Sequence, residues 1–254
     1  MGNLIQIRSH SVTLLKDENE YMVHGTGVLL RIQNLHLLVS AAHVFDDFDK
    51  LLIPVNNGKF MFHPGGEIII NSPKTFREDD NLDIGVLILD LESINELKST
   101  YKFLEHEQIS INHVFDETQD YMIFGFPSTW SNRSATRKSF HIRPFYNFAN
   151  PVNNSEYEKF NRKHYLNIIV EYNRKYAINA KSKSLSYGPN LHGMSGCGLW
   201  NLSSFPKVKL VGIMTDWPIK NRKRIIGIRM DIITETLRKH SNLDIEESKL
   251  FGLK

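Results

Sequence analysis

Ser195 stands in Leu191-His192-Gly193-Met194-Ser195-Gly196-Cys197-Gly198, a serine in a run of glycines with apolar chain on both sides. Glycine adopts backbone conformations that other residues resist, so such a run can turn sharply and aim its N–H groups inward. A serine hydroxyl is a poor nucleophile alone. It needs a base to take its proton, a third group to hold that base, and donors for the oxyanion that forms. Two residues elsewhere could complete the set. His43 follows the apolar run 35–40 in Ala41-Ala42-His43-Val44-Phe45, and Asp83 opens the run Ile84-Gly85-Val86-Leu87-Ile88-Leu89. Each also has a plain structural reading. Ser195 could mark a glycine turn between strands, His43 a satisfied side chain at a strand end, and Asp83 a strand-edge cap with Asp79 and Asp80 as rival carboxylates.

The order of the three residues carries information. Unrelated serine hydrolases reach one geometry by different chain orders, and His, then Asp, then Ser is the chymotrypsin order. Motifs match in series: Val39-Ser40-Ala41-Ala42-His43, with Gly25-Thr26-Gly27-Val28 upstream, then Leu82-Asp83-Ile84-Gly85-Val86, then Gly193-Met194-Ser195-Gly196. Leu210-Val211-Gly212-Ile213 and Ile226-Gly227-Ile228-Arg229 follow. In these boxes the chain resembles the chymotrypsin-like (trypsin-fold) serine peptidases, over residues 21–240. The spacings, 83 − 43 = 40 and 195 − 83 = 112 residues, are similar to the family's.

The resemblance implies roles. Ser195 would attack a peptide carbonyl, His43 would move its proton, and Asp83 would fix the imidazole tautomer. The N–H groups of Gly193 and Ser195 would form the oxyanion hole. Pro189, six positions before the serine, would lie at the base of the specificity pocket, with Thr215 and Asp216 on its wall. Proline there implies an uncharged, medium-sized side chain before the scissile bond rather than Arg or Lys. Met194 departs from the family's Gly-Asp-Ser-Gly, which implies that the secreted members' activation switch is absent. Cys197, two residues past the serine, has no chemical role in this reading. No cofactor or metal is expected, because there is no His-Glu-x-x-His and no cysteine cluster. The expected partners are a protein or peptide substrate and an activating partner protein. The rival reading, from another class, is a catalytically silent pseudo-peptidase that binds protein, and an esterase on the same machinery is a third.

The surrounding elements must be mostly strands. The 254 residues are 41% hydrophobic, an ordinary globular composition that suits one domain. Residues 21–31, 35–40, 51–55, 59–62 and 67–70 are short apolar runs broken by Asn56-Asn57-Gly58 and Pro64-Gly65-Gly66, the pattern of hairpins. Residues 1–15 alternate weakly, as a strand would. Residues 93–104 fit a short helix or a loop. Strands are expected again at 121–126, 165–172, 198–202, 208–215 and 224–230, then a helix over 232–239 with Asp231 as its N-cap. The fold class implied by the resemblance is all-β: two six-stranded antiparallel β-barrel lobes, about 1–115 and about 116–240, with a short C-terminal helix. Much of 130–183, rich in Asn, Lys, Arg and Tyr, reads as an excursion that could hide two or three irregular strands.

A formal net charge of +3 is too small to argue for nucleic acid, and the basic run at 220–224 reads as a solvated hairpin turn. One cysteine forbids an internal disulfide. No run of about 18 apolar residues exists, so no membrane span is expected. These features point to a cytoplasmic, reducing setting.

Overall fold

A computed structural model describes residues 2–18, 20–71, 81–116, 118–133, 140–178, 185–203, 207–219 and 221–251. Asp79, Asp80 and Lys220 lie outside the described residues. The chain opens with helix α1 (Gly2–His10), where weak alternation had suggested a strand. Ile7 is fully buried, Leu4 packs beside the core, and Ile5 is exposed. That spacing, three apart inward and a neighbour outward, is helical. Ser11 Oγ donates to the Ile7 carbonyl at 3.0 Å where the helix gives way to strand.

The first sheet follows. Its strands are β1 (Ser11–Asp17), β2 (Tyr21–Ile32), β3 (Leu35–Ser40), β4 (Leu51–Val55), β5 (Phe60–Phe62), β6 (Gly66–Ile70), β7 (Gly85–Leu89) and β8 (Leu104–Glu105). The spatial order is β5-β4-β1-β2-β3-β7-β6, all antiparallel, and two-residue β8 adds a parallel pair to β2. Helix α2 (Ala42–Phe45) interrupts the sheet after β3. Helix α3 (Leu91–Lys98) is capped by Asp90, whose side chain accepts from Ser93 N at 2.8 Å. The ambiguous stretch 93–104 therefore begins inside a helix.

The second sheet has the order β12-β9-β16-β17-β18-β13. Its strands are β9 (Tyr121–Gly125), β12 (Phe145–Phe148), β13 (Asn167–Glu171), β16 (Cys197–Asn201), β17 (Lys209–Asp216) and β18 (Arg224–Arg229). The hairpins β10 (Asn132–Arg133) with β11 (Phe140–His141), and β14 (Ala177–Ile178) with β15 (Leu185–Ser186), stand outside it. So 130–183 is only partly an excursion: β12 and β13 are the two edge strands. Ile168, Ile169 and Val170 are all fully buried, which is why this run folds into the sheet despite its polar flanks. The short helix α4 (Asn154–Lys159) packs Tyr157 against Ile169 and Ile226.

Two sheets, mostly antiparallel, with one forming a half-barrel, thus make up a mostly β protein. The first sheet exceeds six strands because the brief β5 and β8 are added to it. The C-terminal helix α5 (Met230–Ser241) is longer than expected, and Asp231 is not its N-cap. Arg229 holds that position, and Asp231 lies fully buried in the first turn. Its carboxylate accepts from Asn112 N and Ser248 Oγ, both at 2.8 Å, and pairs with Arg229 at 3.3 Å. A buried carboxylate needs such partners, and two of the three, Asn112 and Ser248, lie outside its own helix. The main core lies between the sheets, where Val28, Leu30 and Val39 meet Phe124, Trp200 and Ile213, with Ile233 and Leu237 of α5 closing one side. No helix among the described residues is long and apolar enough to cross a membrane.

Candidate functional site

β3 ends at Ser40, and Ala41 turns the chain into α2. Ala42, Val44 and Phe45 are buried, which leaves His43 as the side chain of that turn about a third exposed. Asp83 sits just before β7, in a turn closed by Ile84 N donating to Leu82 O at 2.7 Å. β3 and β7 are paired neighbours, with Ser40 opposite Gly85, so the sheet itself brings the two residues together. Asp83 grips His43 twice. Its Oδ2 lies 2.7 Å from His43 Nδ1, and its Oδ1 accepts from the His43 backbone N–H at 3.0 Å. Asp83 is 8% exposed, so the pair is largely shielded from water. With Nδ1 donating to the carboxylate, Nε2 is left as the ring's acceptor.

Ser195 lies in the turn before β16. Gly193 and Gly196 have φ of +86° and +89°, in the left-handed region that side chains resist. Space excludes side chains there too. A Cβ on Gly196 would fall 2.0 Å from Thr26 O, and one on Gly193 would fall 2.8 Å from Phe126 O. The turn is pinned from both sheets. Met194 N donates to Leu191 O and Cys197 N to Met194 O, each at 2.9 Å, and Gly196 N donates to Met214 O at 2.7 Å. Among the described residues, the N–H groups of Gly193 and Ser195 donate to nothing. They are therefore free to serve an incoming oxygen.

Thr26 of β2 joins the pieces, a role not assigned to it from the sequence. Its N–H donates to Ser195 O at 2.8 Å, and its hydroxyl donates to Gly193 O at 2.9 Å while accepting from Phe126 N. Its own carbonyl accepts from Ser40 Oγ at 2.8 Å. One buried threonine thus ties the serine turn to the end of β3, the strand that leads into the His43 turn. Gly25 beside it permits close approach: a Cβ there would meet both the Val44 side chain at 2.8 Å and Ser195 O at 3.3 Å. The turns of His43 and Ser195 therefore flank the same glycine. No hydrogen bond joins Ser195 Oγ to His43 among the described residues; catalytic contacts are often looser before substrate arrives.

Beside Ser195 lies a narrow cavity of about 20 Å³, lined by Leu191, Met194, Met214, Thr215, Asp216, Trp217 and neighbours. Thr215 and Asp216 thus share a wall with Ser195. Pro189 is not among the lining residues; it lies behind, buried, its carbonyl accepting from Tyr172 Oη at 2.9 Å. Burial raises the Asp216 carboxyl above its ordinary range, with Arg162 pulling the other way and the Asp83 charge adding to the rise. Cys197 is buried, and burial pushes its thiol up to about 12. Among the described residues no group of three or more His, Cys, Asp or Glu side chains is placed to hold a metal ion.

No protein-family model matches the chain, and no curated protein matches it.

Proposed function

We propose that the chain is a serine endopeptidase of the chymotrypsin-like type, its two sheets being the two barrel lobes of that fold. The observation that carries the reading is the double grip of Asp83 on His43, at 2.7 and 3.0 Å, together with a serine turn in which, among the described residues, the Gly193 and Ser195 N–H groups donate to nothing. His43 Nε2 takes the Ser195 proton as Oγ attacks the carbonyl carbon, and the Gly193 and Ser195 N–H groups receive the oxyanion. When the tetrahedral intermediate collapses, the C–N bond breaks and the imidazolium protonates the leaving amine. Water, deprotonated by the same histidine, then hydrolyses the acyl-enzyme. The Asp83 carboxylate stabilises the imidazolium in both halves. The setting is a reducing, cytoplasmic one, as a single buried thiol suits.

A second reading, a pseudo-peptidase that only binds protein, is favoured by the missing Ser195–His43 hydrogen bond and the narrowness of the cavity. Hydrolysis separates the two. The wild-type chain is expected to cut a peptide library that Ser195→Ala leaves whole. A library untouched by both proteins would leave only the binding role, and cutting of ester but not peptide substrates would make the chain an esterase.

A further inference from the structure

Among the described residues, Arg143, Arg174 and Arg222 each lie over an aromatic ring and have no acidic partner. Trp217 lines the cavity beside Ser195, and the Arg222 guanidinium stacks on its ring with Cζ 4.0 Å from the centroid. The Trp217 indole N–H donates to the Arg222 carbonyl at 3.0 Å, which holds ring and cation as one unit. Arg174 stands 4.6 Å over Tyr187, its Nε donating to Gly188 O at 3.1 Å on the loop that leads to the serine. Arg143 stands 4.4 Å over Trp130. Two of these rings are joined through the core: Trp130 meets Phe145 at 5.3 Å, Phe145 meets Tyr172 at 6.1 Å, and Tyr172 meets Trp217 at 6.2 Å, all edge to face, while Tyr187 stands outside this series and is exposed. Arg143 and Arg222 ride on this series, which reaches the cavity at Trp217.

Three other arginines nearby in sequence are spent on carboxylates, while Arg162 donates to Asn81 Oδ1. Arg224 pairs with Glu156 and Glu171, Arg238 with Glu235 and Glu247, and Arg229 with Asp231. Among the described residues Arg143, Arg174 and Arg222 form no salt bridge. Each guanidinium already rests against a ring, which reduces the side-chain freedom to be lost when an anion arrives.

We infer that the site takes an acidic peptide, with Asp or Glu beside the residue presented to the cavity, read by Arg222 and then Arg174; this rests on the peptidase reading of that cavity. Nucleic acid fits less well. Bases need open ring faces, whereas Phe145 and Tyr172 are buried and the outer rings are covered by the arginines themselves.

The test uses the full chain carrying Ser195→Ala and fluorescence anisotropy. The probes are a peptide with Asp and Glu flanking a central alanine, the same peptide with Asn and Gln, and a single-stranded RNA. The acidic peptide is expected to bind at least about 10-fold tighter than its amide twin, weakening as salt rises. Arg222→Glu should weaken it about 10-fold and Arg222→Gln by less, while Lys59→Glu, the same charge change on the exposed β4–β5 turn, leaves it unchanged. Equal binding of the two peptides, an equal loss from Lys59→Glu, or tighter binding of RNA would each overturn the inference. Cleavage by the wild-type chain is scored separately. Acidic binding without cleavage sinks the peptidase reading alone, and cleavage without acidic preference sinks this inference alone.

Discussion

Asp83→Asn changes one atom and tests the core of the site. In the wild type, Oδ1 accepts from the His43 N–H at 3.0 Å while Oδ2 faces Nδ1 at 2.7 Å. An asparagine can keep its oxygen on the backbone N–H, but its NH₂ group then meets Nδ1. Nδ1 must become the acceptor, and the ring proton moves to Nε2, where it faces the serine and can no longer take the serine's proton. The expected cost in turnover near neutral pH is about 10⁴-fold, equivalent to about 5 kcal/mol of transition-state stabilisation. The fold should be kept, because size and one hydrogen bond are conserved. The assay is peptide hydrolysis, with nitrogen NMR of the imidazole to report the tautomer. Retention of activity within about tenfold, or an unchanged tautomer, would refute the reasoning. If Asp80→Asn were the damaging change instead, the aspartate would have been assigned wrongly.

Cys197→Ala should keep most of the activity, because a thiol pushed up to about 12 is thiolate in only about one part in 10⁵ at neutral pH. Inactivity of that variant alongside an active Ser195→Ala would make the cysteine the nucleophile. Gly196→Ala should unfold the serine turn, at about 3 kcal/mol or more in chemical denaturation, since its Cβ would sit 2.0 Å from Thr26 O at a φ of +89°. A wild-type midpoint for that variant would contradict the turn geometry. Asp216→Asn should stabilise the fold at pH 7. A carboxyl raised by burial favours the protonated form, so the wild type loses stability as pH rises above the ordinary 3.8, and the asparagine does not. The two proteins should therefore converge as pH falls below that value; a difference that persists there would point to packing instead.

The contact of His43 with Asp83 was legible because each residue closes or opens an apolar strand-like run, and strand ends are where a sheet can present a side chain. Pairing of β3 with β7 then does the positioning that spacing alone only hinted at. The N-terminal helix was misread because Leu4, Ile5 and Ile7 satisfy a two-residue alternation as well as a helical one, and only packing decides. Asp231 reads locally as a cap, yet its partners are Asn112 and Ser248, far off in sequence. Thr26 was visible as the middle of Gly-Thr-Gly, but its role arises from four hydrogen bonds to residues 14 to 169 positions away, which no local pattern encodes. Pro189 was placed by counting back from the serine, and the loop instead tucks its carbonyl under Tyr172.

The central claim is that Ser195 is an activated nucleophile. A fluorophosphonate probe reacts with such a serine and leaves its phosphonate on Oγ, displacing fluoride. Intact mass spectrometry of the wild-type chain should show one adduct per molecule, and fragmentation should place it on Ser195. Ser195→Ala should show none, and His43→Ala should label far more slowly. A wild-type chain that stays unlabelled with and without cell lysate, or an adduct mapped to another residue, would contradict the account.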